Sequence, residues 1–403
     1  MKILKETVDT LVLGAGAAGM MAAIFAAEMG GRVVVIDHAK APGEKIRISG
    51  GGRCNFTNRH ATSRNFLSKN PHFCKSALSR YTPEDFVALV EQHKIAYHEK
   101  TLGQLFCDHS ARDIIAMLLS ELERKSVSVK LKTRMTDLEK TPDGFRVSIE
   151  GDGERSEITA RHFIVASGGK SVPKMGASGI AYDIAERFGH KVTETRPALV
   201  PLTFATQDLE AFNALSGVSA PAIVSHAKTS FQEALLFTHR GLSGPAILQI
   251  SSYWREGDDI TVTFLPEVNV FSRLKDLRTA RGKRQIQAVL SEELPTRLAR
   301  YLAPENVFTG NLADQSDRQL QRLSEAIQNW RLKPVGTEGY RTAEVTLGGI
   351  ETSGLNSRTM ESKTTTGLYF IGEAVDVTGW LGGYNFQWAW ASGAAAGRAI
   401  SAV

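Results

Sequence analysis

The spacing Gly14-x-Gly16-x-x-Gly19, with an acid at Asp37 about 20 residues on, has a defined chemical use: it cradles a dinucleotide. Gly14 permits the tight turn, and Gly16 lets the backbone come up against a pyrophosphate. Gly19, after Ala17 and Ala18, lets the next helix pack close to the strand, so that its positive N-terminus faces the phosphates. Asp37 stands where a carboxylate accepts from ribose hydroxyls. A second cluster follows at once, Lys45, Arg47, Ser49, Gly50, Gly51, Gly52, Arg53, Cys54 and Asn55. Three successive glycines between cations form a loop that can approach a flat ring system, offer backbone N–H groups and neutralise phosphate charge.

The elements that must position these residues are legible around them. The apolar run Leu11 to Leu13 leads into the glycine turn, a helix of small residues (Ala22, Ala23, Ala26, Ala27) follows, and Val33 to Ile36 ends in Asp37. That is one strand–helix–strand unit. A further apolar strand, Phe163 to Ala166, ends in Ser167-Gly168-Gly169 and returns the chain to the same place. The last stretch repeats the logic, with a strand ending at Gly372-Glu373 and Gly382-Gly383-Tyr384-Asn385-Phe386 opening a helix through Ala399. Such an N-terminus stabilises negative charge of the kind a reduced flavin carries on its pyrimidine edge, and Glu373 is placed for a ribityl hydroxyl. A domain made only for a nicotinamide needs no such return.

Between these pieces, Pro83 to Val90 and Ile114 to Leu119 carry helical periodicity, and His98 to Asp108 is an irregular polar and aromatic stretch. Val127 to Leu131, Phe145 to Ile149 and Glu157 to Thr159 read as a small antiparallel layer. The expected division is a first cofactor-binding part over 1–192, an insertion over 193–342 (β part about 193–268, basic helical part about 269–335) and a return over 343–403. Between 269 and 333 there are twelve Lys/Arg (Arg273, Lys275, Arg278, Arg281, Lys283, Arg284, Arg297, Arg300, Arg318, Arg322, Arg331, Lys333) against seven acids, a surplus equal to the +5 of all 403 residues. The segment is thus either a solvated helical face or a footprint for a polyanion. No apolar run reaches membrane-spanning length, and Met1 to Glu6 is too short before its strand to be a signal peptide, which predicts a cytoplasmic protein. Three cysteines (Cys54, Cys74, Cys107) without a C-x-x-C pair match neither a disulfide framework nor a zinc site, so no metal is expected.

These motifs resemble the bacterial YhiN/BaiN-like flavoproteins over essentially the whole chain. The resemblance is carried by Gly14 to Gly19, Lys45 to Asn58, Leu236-Phe-Thr-His-Arg-Gly-Leu-Ser-Gly-Pro245, Thr346-Leu-Gly-Gly-Ile350 and Gly367 to Trp390. It implies an α/β fold of the two-dinucleotide-binding type, Rossmann-like, with an inserted β-barrel-like and helical region, and non-covalent FAD. Outside the shared motifs, Asn70 to Leu78, His98 to Asp108 and Gly336 to Ala343 look most like the branch associated with dihydrouridine synthesis in large-subunit (23S) ribosomal RNA. No second Gly-x-Gly-x-x-Gly domain appears, so NAD(P)H would dock transiently as donor.

Two function classes follow. One is reduction of a uridine in folded RNA, gripped by the basic segment 269–333; the other is a reductase or oxidase of a small metabolite, such as a steroid-like enone or an amine. Reducing a uracil C5=C6 bond needs a hydride at one carbon and a proton at its neighbour, and a thiol or imidazole suits the second task. Cys107 is the first candidate for that acid, with His98 and His239 behind it. The sequence carries no signal for oligomeric state.

Overall fold

The structure, a computed structural model, describes residues 4–402. Met1 to Ile3, the start of the segment weighed as a leader, lie outside the described residues. Two compact units divide the chain, one formed by Met1–Arg196 with Val345–Val403 and the other by Pro197–Glu344. The first is built on a seven-stranded sheet. Its middle strand β1 (Leu4–Leu13) ends in the buried run Leu11, Val12, Leu13, the apolar continuity that a strand covered on both faces requires. Helix α1 (Ala17–Ala26) connects it to β2 (Val33–Ile36), its parallel neighbour, with Leu13 opposite Ile36. Next come three short strands, β3 (Asn55–Asn58), β4 (Tyr97–Glu99) and β5 (Gln104–Cys107), which form a separate antiparallel sheet in the order β3-β5-β4.

The strand Ser128–Lys130 joins the main sheet parallel to β2, with Val34 opposite Ser128, so the antiparallel layer expected there is corrected. The helix Ala111–Arg124 precedes it and returns the chain in the direction it came from, which a parallel partner demands. Glu157 to Thr159 and Phe163 to Val165 also prove to belong to one strand, β6 (Glu154–Val165), with Ala166 just past its end. It lies parallel to β1 from Ser156 to Val165, while on its other side its first half pairs antiparallel with Gly144–Gly151 and its end lies parallel to Leu368–Phe370. Leu13, Ile36, Val165 and Phe370 are therefore in register at one sheet edge. Across α1 lies the last helix, Tyr384–Ser401, whose Gly393 and Gly397 permit the approach: a Cβ there would come within 2.6 Å of Ala18 O and 2.5 Å of Ala22 O.

In the second unit, β7 (Ser219–His226), β8 (Thr229–Thr238), β9 (Ile260–Phe264) and β10 (Trp330–Leu332) belong to a seven-stranded sheet in which β10, at one edge, is followed by β9, β7 and β8. One face is a core of Val224, Phe231, Leu235, Phe237, Val262 and Phe264, against which Trp330 packs. Trp330–Leu332 is thus a strand inside the stretch expected to be helical, because Trp330 and Leu332 alternate with exposed Arg331. Helices α2 (Val270–Arg281) and α3 (Asp317–Gln328) carry much of the basic charge. Arg278 reaches Asp317 at 2.5 Å and the Gln315 carbonyl at 2.8 Å, and Arg281 and Arg284 both pair with Glu292. These arginines pair with acids of their own unit while staying partly exposed, as the solvated-face reading of the segment has it. Among the described residues no helix is long and apolar enough to cross a membrane, and no group of three or more His, Cys, Asp and Glu is placed to hold a metal ion.

Candidate functional site

The sheet edge of the first unit gathers the glycine motifs. Gly14 sits at φ +116°, where a Cβ would lie 2.5 Å from Ala166 O, and a Cβ on Gly19 would lie 1.9 Å from Gly14 O. These two glycines make the turn and close the helix onto the strand. Gly16, Gly51, Gly52 and Gly168 differ, since a Cβ on any of them would meet nothing within 4 Å. Their backbones border open space. Beside them, Ser167 Oγ is buried without a hydrogen-bond partner. A glycine cradle plus an orphaned hydroxyl is the arrangement a pyrophosphate completes. Asp37 accepts from Ala15 N at 2.7 Å and Ala39 N at 2.8 Å, so its carboxylate pins the glycine turn and keeps lone pairs for a ribose.

Glu373 ties its own stretch to three distant ones. Its Oε2 accepts from Lys45 Nζ at 2.6 Å, and its Oε1 from Ser171 Oγ at 2.6 Å and Thr346 N at 3.0 Å. Burial would raise this carboxyl, but the Lys45 ammonium and these hydrogen bonds outweigh it and hold the group below the usual carboxylate range. Ser171 and Thr346 were not found by sequence reasoning, because each lies far from its partner along the chain. Gly169 is needed in the same knot, as a Cβ there would lie 2.5 Å from Thr346 Oγ1.

The N-terminus of the last helix is set by Gly382 and Gly383, at φ +112° and +92°. Asn58 Nδ2 donates to Gly382 O at 2.9 Å, and a Cβ on Gly383 would lie 2.4 Å from Thr57 O, so β3 lies directly against this turn. Asn385 does not present its side chain outward: it accepts from Gly379 N at 2.8 Å and donates to Gly379 O at 2.9 Å, bracing the preceding loop. Tyr384 and Phe386 pack edge-on to Phe66 and stacked on Trp390. In the second glycine loop Arg47 is paired with Glu44 at 2.6 Å, Ser49 Oγ donates to Ile46 O, Arg53 is exposed and Cys54 is buried, its thiol pushed up by burial.

Strand alternation sorts the acid candidates. Asn55, Phe106 and His98 are cross-strand partners and share one face of the small sheet, with Gln104 two residues from Phe106 on that face. This face meets the glycine turns: a Cβ on Gly50 would lie 2.8 Å from the Phe106 ring and one on Gly382 3.0 Å from Gln104 Cδ, while Asn55 and Gln104 hydrogen-bond at 2.9 Å. His98 stacks on Phe106, is partly exposed, and binds Asp108 Oδ1 through Nδ1 at 2.6 Å. Cys107 is on the other face, wholly buried, and its thiol is pushed up to about 12 by burial and by the Asp113 and Asp108 carboxylates. His239 belongs to the second unit, exposed in the turn before Gly241–Ser243. Gln104 and Asp108 were missed as site residues; the period-2 pattern Gln104-x-Phe106-x-Asp108 is the signal that could have found them.

A family model, the HI0933-like protein Rossmann domain, matches residues 8–399. The chain belongs to this family. It is 48% identical to a ribosomal RNA dihydrouridine synthase of Escherichia coli (strain K12), over 96% of both chains. It is 30% identical to a 3-dehydro-bile acid delta(4,6)-reductase of Clostridium scindens, over 97% of this chain and 98% of that one. A flavocytochrome c3 fumarate reductase superposes with a TM-score of 0.52 at 17% identity, covering 98% of this chain and 78% of the other, which shows a shared fold. This HI0933-like chain is an α/β flavoprotein oxidoreductase with a Rossmann-type fold.

Proposed function

We propose that the chain is an FAD-dependent reductase that converts a uridine of 23S ribosomal RNA to dihydrouridine in the cytoplasm, with NAD(P)H as donor. The observation that carries this reading is the 48% identity, end to end, with a relative named for that reaction. In it, Gly14 to Gly19 and Ser167 hold the pyrophosphate, Asp37 the adenosine ribose, and Lys45, Glu373, Gly383 and the first-turn amides of the last helix the ribityl and pyrimidine end. FAD supplies hydride when reduced, so the protein must supply a proton to the adjacent carbon and exclude water. His98 fits that task on geometry. Its Nδ1 is engaged by Asp108, which leaves Nε2 free on the face shared with Gln104 and Asn55, and an aspartate so placed fixes the tautomer. Cys107, facing the core, is then a packing residue. The insertion 193–342 serves as the RNA-binding part.

The bile-acid relative favours a second reading, reduction of a carbon–carbon double bond in a small enone. The two substrates share an electron-poor C=C bond conjugated to a carbonyl, so the same hydride and proton chemistry serves both. Mapping dihydrouridine in ribosomal RNA from a strain lacking this gene decides between them. One uridine should replace one dihydrouridine, and the complemented strain should restore it; an unchanged modification map would leave the small-molecule reading standing.

A further inference from the structure

The sheet of the second unit presents a polar row on its outward side. Ser230, Ser225, Thr261 and Arg331 are successive cross-strand partners, so they form one row across β8, β7, β9 and β10 on the side away from the core. Gln232, Ile223 and Thr263 form the next row. Ser230, Gln232 and Arg331 are exposed, as are Lys228 in the β7–β8 hairpin and Lys333 just past β10. No carboxylate projects from these strands on this side. Glu233, the one acid in β8, points to the buried face, where Gln249 Nε2 donates to it at 3.2 Å. Of the acids bordering the face, Asp258 lies 3.4 Å from His226 and Glu267 accepts from Gln232 at 3.4 Å, while Asp259 directly precedes β9.

We infer that this sheet face is where the second unit holds RNA, through its sugar–phosphate backbone. The inference rests on the functional reading above. Arg331, Lys228 and Lys333 meet phosphates, while the serine, threonine and glutamine side chains between them are donors and acceptors for phosphate oxygens and 2′-hydroxyls. The strands carry no aromatic side chain on this side, so the face has no platform for stacking unpaired bases. It therefore grips RNA by shape and charge without reading sequence. Arg273, Arg278, Arg281 and Arg284 have no part in this, because they are paired with Glu293, Asp317 and Glu292.

The test is binding of an unmodified transcript of bacterial large-subunit ribosomal RNA to the full-length, FAD-loaded protein across a salt series. Substituting Lys228→Glu and Arg331→Glu together should weaken binding by about tenfold or more and lower the slope of log affinity against log salt by about one to two, each lost phosphate contact being worth about 0.7–0.9. FAD content and reduction by NADPH should not change. The milder pair Lys228→Gln with Arg331→Gln should show a smaller loss in the same direction, and it decides the matter if the reversed pair folds poorly. Wild-type affinity and slope in both pairs would overturn the inference, as would weakening confined to an Arg318→Glu, Arg322→Glu variant of α3. A strong preference of the wild type for one sequence over a scrambled transcript would overturn the backbone-only mode. If the wild-type protein neither binds the transcript nor forms dihydrouridine yet reduces a small enone, the functional reading itself has failed.

Discussion

His98 and Cys107 lie nine residues apart in the chain and on opposite faces of a three-stranded sheet. That difference ranks them, since a proton donor must reach substrate and a thiol wholly buried in the core cannot. His98→Gln should lower dihydrouridine formation by about 10²- to 10⁴-fold with FAD content and NADPH-driven flavin reduction intact. Asp108→Asn should leave His98 present but free to take the wrong tautomer, lowering turnover without emptying the FAD site. Cys107→Ala should keep turnover within a few-fold and cost about 1 kcal/mol of stability. Single-turnover assays with RNA against flavin bleaching separate these outcomes, and an inactive Cys107→Ala protein that bleaches normally would reverse the ranking. The types of these residues were readable in the sequence. Their faces were not, because His98 to Asp108 looks irregular until its two short strands find β3.

Among the elements, glycine turns do the positioning, and the structure separates two kinds. Gly383 is needed by the protein, with φ +92° and Thr57 O where its Cβ would be. Gly16 is at φ −86° with nothing within 4 Å, so it is needed only by a ligand. Gly16→Ala should therefore fold with wild-type melting once stripped of FAD but bind FAD much more weakly. Gly383→Ala should lose about 1–3 kcal/mol in the stripped protein as well. Melting curves with and without FAD distinguish the two, and equal melting of both stripped variants would refute the division. The first strand–helix–strand unit was legible because its pattern is local. Ser128–Lys130 was misplaced because alternation identifies a strand without saying which neighbour it will take.

For the molecule as a whole, Glu373 is the closure that brings the last part of the chain back onto the first unit. Its carboxyl is depressed in the folded state, so it contributes stability that is fully present above its ordinary value and is lost as pH falls through the folded one. Glu373→Gln should cost about 1–3 kcal/mol near neutrality, and the gap to wild type should shrink as pH drops below about 4.5. A gap that stays constant from pH 7 to pH 3 would show that the Lys45 pair contributes nothing. The sequence by itself determined the α/β class, the dinucleotide turn and the returning glycine-rich helix, because each is written in contiguous residues with a fixed spacing. Only the tertiary structure decided that Glu373 binds Lys45, Ser171 and Thr346, that His98 and not Cys107 shares a face with Gln104, and that the arginines of α2 are spent on carboxylates inside their own unit. Those facts depend on strands and helices distant in the chain meeting in one register, and no local pattern of residues encodes which of them will meet.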